Sequence, residues 1–331
     1  MTGVRTVKVE VADVEIRLDR WFKRHFPDLS HGRLEKLLRT GQVRVDGRRA
    51  KAGQRIKKGQ VVRVPPMEPH PQNPTSRRSK VKRVDSELAR ELARRVLHMD
   101  DDVLALDKPP GLAVQGGTGT KRHIDGALDE LRFDSAERPR LVHRLDKDTS
   151  GVLLLARSAR AARWLTQAFR YRSAIKTYWA AVVGEPRFSA GTIDLPVAKL
   201  AGHNGDKMAV DWGNGRRAVT DYVVLEQLGR RVAWMAMRPL TGRTHQLRVH
   251  MASLGTPVLG DGKYGGEGAF LGPGELSPKL HLHARSILVR RPDHSCLSVN
   301  ATLPEHMVHT WSFLGFDLTA DTEPFLGSEV D

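Results

Sequence analysis

The nine residues His143-Arg144-Leu145-Asp146-Lys147-Asp148-Thr149-Ser150-Gly151 run directly into the apolar stretch Val152-Leu153-Leu154-Leu155-Ala156. A short unbroken apolar run bounded by turn-forming residues reads as a strand buried on both faces. Asp146, two residues after Arg144, then sits on a loop pinned by a rigid core strand, a common way to place a catalytic group. Taken alone, the same stretch is also a solvated Asp-Lys-Asp turn. The rest of the chain decides between the two.

At 331 residues the chain has the length for a substantial core and two domains. A mean hydropathy of −0.41 and the absence of any run of eighteen apolar residues argue against a membrane span. The start, Met1-Thr2-Gly3-Val4-Arg5, has neither the apolar core of a secretory signal nor a long acid-free amphipathic stretch. A single cysteine, Cys296, excludes an internal disulfide and a thiolate-rich zinc site. A reducing cytoplasm is the expected compartment.

Net charge is +16, and 14 of that surplus lies in residues 1–97, which hold 25 Lys and Arg against 11 Asp and Glu. A basic N-terminal third on a nearly neutral body reads as a polyanion-binding module joined to something else. Leu18, Trp21, Phe22 and Phe26 fall on one helical face, with Arg17, Arg20, Lys23 and Arg24 off it. Ser30 can cap a second helix in which Leu34, Leu37 and Leu38 repeat the stripe, Arg33, Lys36 and Arg39 face away, and Gly41 stops the helix. Val43-Arg44-Val45 then reads as a strand, Asp46-Gly47 as a tight turn, and Val61-Val62-Arg63-Val64 as a closing strand.

This unit, residues 14–65, resembles the RNA-binding domain of the fourth small-subunit ribosomal protein, the αL RNA-binding fold. The resemblance rests on Arg17-Leu18-Asp19, on Arg33 to Leu38 and on Gly41 to Gly47. It implies that Arg33, Lys36, Arg39 and Arg44 contact RNA phosphates, with an affinity that weakens in salt. Residues 66–85 are proline-rich, polar and basic, the composition of an extended linker. Residues 86–331 form the second domain. Strand-like runs at 103–106, 177–183, 218–228 and 231–237 mix with helical patterns at 158–170 and 244–254. The expected fold class is α+β, with a mostly antiparallel mixed sheet. The glycine-rich stretches 201–217 and 260–275 read as loops, and Trp311, Phe313, Phe316 and Phe325 are expected to pack the tail onto this domain.

Three further segments carry chemical groups: Lys108 to Gly117, Lys176-Thr177-Tyr178-Trp179-Ala180, and Arg238 to His250. The first is no phosphate-binding P-loop, since no Gly-Lys-Ser/Thr follows at the right spacing. Singly, each has an ordinary explanation: Tyr178 as half-buried core, Arg243 as a surface charge, His245 and His250 as satisfied structural histidines. His143, His245, His250, His281 and His283 could gather in space. No His-x-x-x-His with a neighbouring carboxylate appears, however, so no metal is expected. No Gly-x-Ser-x-Gly elbow supports a serine hydrolase.

Together and in this order, the segments resemble the RluA-type family of pseudouridine synthases, nearest its RluC branch, over about residues 14–304. The carriers are His-Arg-Leu-Asp-x-x-Thr-Ser-Gly at 143–151 and Thr-Gly-Arg-Thr-His-Gln-Leu-Arg at 241–248. Leu-His-Ala at 282–284 and the lysine-proline turn at 108–110 add support. Gln115-Gly116-Gly117 departs from the His-Gly-Gly of many relatives. The resemblance implies a cofactor-free isomerase that converts uridine to pseudouridine in large-subunit ribosomal RNA, free or within pre-ribosomal particles, with the enzyme expected to be monomeric. It further implies that Asp146 is the catalyst, acting as a nucleophile or as a base at the sugar. Arg243 would pair with Asp146, Tyr178 would stack on uracil, Leu282 would cover its other face, and Arg144 would fill the gap left by the extruded base. A transfer-RNA substrate, a non-enzymatic ribosome-assembly factor and a metal-dependent hydrolase are the competing readings.

Overall fold

The computed structural model describes residues 4–10, 13–26, 29, 31–66, 86–117, 120, 122–200, 207–272, 274, 276–318, 324 and 325. The chain divides into two compact units, Met1–Ser76 and Arg77–Asp331. Ser30 and all but the first residue of the expected linker lie outside the described residues.

In the first unit, β1 (Arg5–Lys8) precedes two helices, α1 (Leu18–His25) and α2 (His31–Arg39). Three strands follow: β2 (Arg44–Val45), β3 (Arg48–Arg49) and β4 (Val61–Val64). They form an antiparallel sheet in the order β1-β4-β2-β3. The helical stripes become the core, where Leu18, Trp21, Phe22, Leu34 and Leu38 bury against Val45, Val62 and Val64. Asp46 and Gly47 both take positive φ, 50° and 74°, as the tightest hairpin turn requires. Asp13 is buried and accepts from Trp21 Nε1 at 3.1 Å, Arg24 Nη1 at 3.0 Å and His25 Nε2 at 2.6 Å, which ties α1 to the loop before it.

The second unit opens with a helix, α3 (86–93), then β5 (Val96–Met99), β6 (Val103–Lys108), α4 (Ile124–Ala127) and β7 (Arg140–Leu141). Next come β8 (Ser150–Ala156), α5 (Ala159–Tyr171), β9 (Ile175–Val183) and β10 (Ala190–Asp194). A short pair, β11 (Val197–Lys199) and β12 (Met208–Val210), leads to β13 (Val219–Leu228) and β14 (Val232–Pro239). The last elements are α6 (Gln246–Ser253), β15 (Leu282–Arg290), β16 (Cys296–Asn300) and α7 (Glu305–Leu314). The large sheet runs β10-β13-β14-β9-β15-β8-β6-β5, with β16 beside β15 and β7 beside β8. Its recorded pairings are antiparallel except β15 with β8.

β8 is buried along its whole length. Leu153 and Leu155 face Leu88, Leu92 and Ile124 on one side, while Val152, Leu154 and Ala156 face Ala161, Leu165 and Ile287 on the other. Hydrophobic layers on both sides therefore fix the strand that follows Asp146. The parallel pairing of β8 with β15 sets Ser150 beside His283 and Gly151 beside Ala284. It places the loop entering β8 next to Leu282 at the start of β15. β9, antiparallel to β15 and to β14, brings Tyr178 opposite Ala284 on one side and Met237 on the other.

Two expectations need correction. Residues 208–210 form a strand within the stretch expected to be loop, because Met208 and Val210 pack onto a small cluster with Val197, Ala218 and Val249. Three residues are too few for alternation to reveal a strand. Of the tail aromatics, Trp311, Phe316 and Phe325 bury against Trp179 and Trp234, whereas Phe313 is 57% exposed.

Gly151 has φ of 105°, and a Cβ there would lie 2.2 Å from the carbonyl oxygen of Ala284. Backbone meets backbone, so no side-chain rearrangement relieves the contact. Gly151→Ala is expected to lower unfolding free energy by about 3 kcal/mol, measured by urea denaturation. A loss below a few tenths would show that the junction tolerates a side chain.

Candidate active site

The end of α5 and four other segments converge on a cavity of about 620 Å³. The loop before β8 supplies Arg144 and Asp146, β9 supplies Tyr178, and the start of β15 supplies Leu282. The turn from β14 into α6 supplies Arg243, His245 and Arg248. Asp146 is the only carboxylate among the lining residues, and its side chain keeps 25% of its exposure.

The Asp146 loop is held from below by Lys108. This lysine is fully buried, and its Nζ donates to the carbonyls of Pro109 at 2.9 Å, Leu112 at 2.8 Å and Lys147 at 2.9 Å. Three carbonyls satisfy the three ammonium hydrogens. Burial pulls the Lys108 pKa down to about 7, opposed by the charges of Asp148, Asp146 and Asp107. The Lys147–Asp148 peptide group, one residue beyond Asp146, is thus fixed to a buried lysine.

The turn before α6 is organised by Gln246. Its Oε1 accepts from Thr241 Oγ1 at 2.6 Å and from the Arg243 amide at 3.0 Å, while its Nε2 donates to the Val219 carbonyl and Thr220 Oγ1, each at 2.9 Å. His245 caps α6 in a left-handed conformation, φ 53°, the kind of strain kept at functional sites. Its Nε2 lies 3.9 Å from Asp146 Oδ2, and its Nδ1 lies 2.5 Å from Tyr264 Oη. Tyr264 Oη already accepts from the Met208 amide at 3.2 Å. Nδ1 and the phenol share one proton in this contact, and Nε2 faces Asp146 across 3.9 Å. Burial lowers the His245 pKa, against the pull of Asp146.

The expected Arg243–Asp146 pair is not formed. Arg243 Nε donates instead to the Arg217 carbonyl at 3.2 Å. The buried guanidinium whose field reaches Asp146 is that of Arg248, three residues into the helix from His245 and so on the same face. Arg248 grips Asp261 with two bonds, Nε to Oδ2 at 2.7 Å and Nη2 to Oδ1 at 2.6 Å, and lies 4.9 Å over the Tyr264 ring. Burial works against its charge, but Asp261 outweighs it and raises the Arg248 pKa. Asp261 and Tyr264 come from a stretch that reads in sequence only as loop, so no periodicity could have marked them.

Tyr178 is half-buried and lines the cavity; burial, then the Asp146 charge, pushes its phenol pKa up, so the ring is neutral. Leu282, 3% exposed, lines the same space. Arg144 is exposed, with Nη1 3.4 Å from Gln115 Oε1. In the first unit, Lys36 and Arg39 are exposed on α2 and Arg33 is half-buried there. Arg44 bonds the carbonyls of Gly41 and Gly47, each at 3.1 Å.

The histidines considered as metal ligands have other partners. His143 Nε2 accepts from the Leu154 amide at 2.8 Å, and its ring stacks on Phe169. His250 meets Thr220 Oγ1 and the Leu195 carbonyl, His281 meets Leu259 and Thr310, and His283 meets Ser150 and Ala301. Among the described residues no group of three or more His, Cys, Asp or Glu side chains could hold a metal ion.

Residues 102–253 match the family described as RNA pseudouridylate synthase, and residues 16–62 match the S4 domain. The chain is 36% identical over 279 residues to ribosomal large subunit pseudouridine synthase C of Rickettsia conorii, covering 83% of this chain and 89% of that protein. It is 33% identical to the protein of the same name in Vibrio vulnificus, covering 93% and 96%. Among solved structures, human RNA pseudouridylate synthase domain containing 4 superposes with a TM-score of 0.59 at 32% identity, over 71% of this chain and 98% of that one.

His143 and His283 flank the entry to β8, and burial holds both pKa values at about 3, with Lys176 adding to the effect on His143. The unfolded chain takes up these protons near 6.5 and the folded chain does not. Stability therefore falls as pH drops below 6.5, by about 1.4 kcal/mol per pH unit for each histidine. Urea unfolding at pH 7, 6 and 5 is expected to show that slope, and His283→Gln should make it shallower. An unchanged slope in the variant would mean that His283 does not titrate on unfolding.

Proposed function

The chain belongs to the RNA pseudouridylate synthase family, and from that membership we propose that Asp146 isomerises specific uridines of large-subunit ribosomal RNA to pseudouridine. As a member of the family the protein is an RNA pseudouridine synthase, an isomerase. The observation that carries the finer reading is the placement of Asp146 as the sole carboxylate, among the described residues, lining a cavity that also contains Tyr178, Leu282 and Arg248. The names of the Rickettsia and Vibrio relatives favour the ribosomal substrate.

The reaction breaks N1–C1′, turns the uracil and joins C5 to C1′. C5 loses a proton and N1 gains one, so atoms balance without an oxidant, an energy source or a cofactor. Asp146 stabilises the electron-poor sugar carbon as the base departs, either as nucleophile or as base at the sugar. The His245 ring faces the carboxylate, and the fixed Arg248 charge acts on it through the cavity. Tyr178 and Leu282 offer an aromatic and an aliphatic surface to the detached uracil. Extrusion of the uridine from folded RNA costs a few kcal/mol, which Arg144 offsets by occupying the vacated place. Arg33, Lys36, Arg39 and Arg44 of the S4 domain add phosphate contacts. The reaction takes place in the cytoplasm.

The test is pseudouridine mapping of large-subunit and transfer RNA in cells lacking the native enzyme and rescued with wild type or Asp146→Asn. Wild type is expected to restore sites in large-subunit RNA, and the variant to lose at least about 10,000-fold in rate while keeping its melting temperature. Equal restoration by the variant would overturn the role of Asp146, and restoration confined to transfer RNA would overturn the substrate. In vitro, EDTA is expected to leave turnover unchanged; loss of activity on chelation would overturn the metal-free route.

A further inference from the structure

The cavity gathers more positive charge than the chemistry at Asp146 uses. Arg170, Arg172 and Lys176 line it together, and among the described residues none of the three has a carboxylate partner. Arg170 makes only a distant contact with the Tyr171 ring, 5.9 Å from its centroid. The remaining arginines differ: Arg248 is neutralised by Asp261, Arg243 is tied to a carbonyl, and Arg144 leans on Gln115.

Two features mark this convergence. Arg172 closes α5 with φ of 64°, a left-handed position where glycine is the default and an L side chain is strained. Lys176 is half-buried on β9, and burial, with the positive Arg172 beside it, depresses its ammonium to about 8. Arg170 and Arg172 are exposed and Lys176 is half-buried, so the three cations face the open cavity with a positive potential that favours an anion. Lys176 also stands two residues before Tyr178 on one strand, and both side chains line the cavity. Strand geometry separates them by roughly 7 Å, comparable to the reach from a pyrimidine ring to a phosphate of its own nucleotide.

We propose that Arg170, Arg172 and Lys176 form a phosphodiester subsite that grips the RNA backbone beside the uridine lying against Tyr178. This rests on the reading of Asp146 and Tyr178 given above. The subsite fixes the sugar between two points, the base against the tyrosine and the phosphate against the cations. It thereby presents C1′ to Asp146 and contributes positioning rather than chemistry.

The test uses the full chain and the large-subunit RNA fragment that it binds most tightly. Three versions of the fragment are compared: all phosphodiester, and a single neutral methylphosphonate on the 5′ or the 3′ side of the uridine. That uridine is the one modified or, failing turnover, the one the protein protects from chemical probing. Arg172→Gly removes a cation while relieving backbone strain, so it is expected to melt no lower than wild type. Lys176→Met keeps the stem and drops the charge.

Each variant is expected to bind the native fragment roughly tenfold or more weakly, read by fluorescence anisotropy. Wild type should lose as much on one of the two methylphosphonate fragments, and variant and neutral linkage together should lose no more than either alone. Additive losses at both linkages, or no loss on native RNA, would overturn the subsite. Coupling in binding without turnover would instead overturn the catalytic reading alone. Turnover without coupling would overturn the subsite alone, and the absence of both would overturn both.

Discussion

The buried ammonium of Lys108 is the interaction on which the site most depends. A fully buried lysine without a direct carboxylate bond is costly, and here its charge is spread over three carbonyls, one of them the carbonyl of Lys147. Removing it would leave three carbonyls, that of Leu112 buried, without this donor and release the Lys147–Asp148 peptide beside Asp146. Stability and active-site geometry are therefore carried by the same side chain. The lysine-proline turn at 108–110 has a purpose that its sequence alone conceals, since the carbonyl it captures lies 39 residues further along the chain.

The cavity pairs a small number of well-anchored charges with a larger number of open ones. Arg248 is immobilised by Asp261 on one side and the Tyr264 ring on the other, so its field on Asp146 is constant. His245 faces the same carboxylate, its ring held by Tyr264. These groups prepare a carboxylate without neutralising it. The unpaired cations on the α5–β9 side do the opposite: their charge is unspent in the free protein and available to a polyanion.

Local patterns in the sequence revealed much of this. The stripes of Leu18, Trp21 and Phe22 and of Leu34 and Leu38 became helices with those residues buried, because short amphipathic helices bury what their period dictates. The unbroken run at 152–156 became a strand covered on both faces. The antiparallel character of the sheet followed from successive strand-like segments. What escaped depended on distant partners. Arg243 and Arg248 are equivalent as letters in one motif, and only the start of α6 and the position of Asp261 decide which guanidinium is buried near the carboxylate. Gly151 looked like a turn residue, yet it is required by the backbone of a strand more than a hundred residues away.

That long reach governs how the molecule comes into being. The first unit closes its sheet by pairing β1 with β4, within about sixty residues, whereas Ser150 and His283, which bond across the β8–β15 junction, are 133 positions apart. Loop closure over such separations is slow, and domains emerge from the ribosome in order. The RNA-binding unit is thus complete while the platform under Asp146 still lacks its neighbouring strand. A nascent chain passes through a stage at which it can hold RNA before it can act on it.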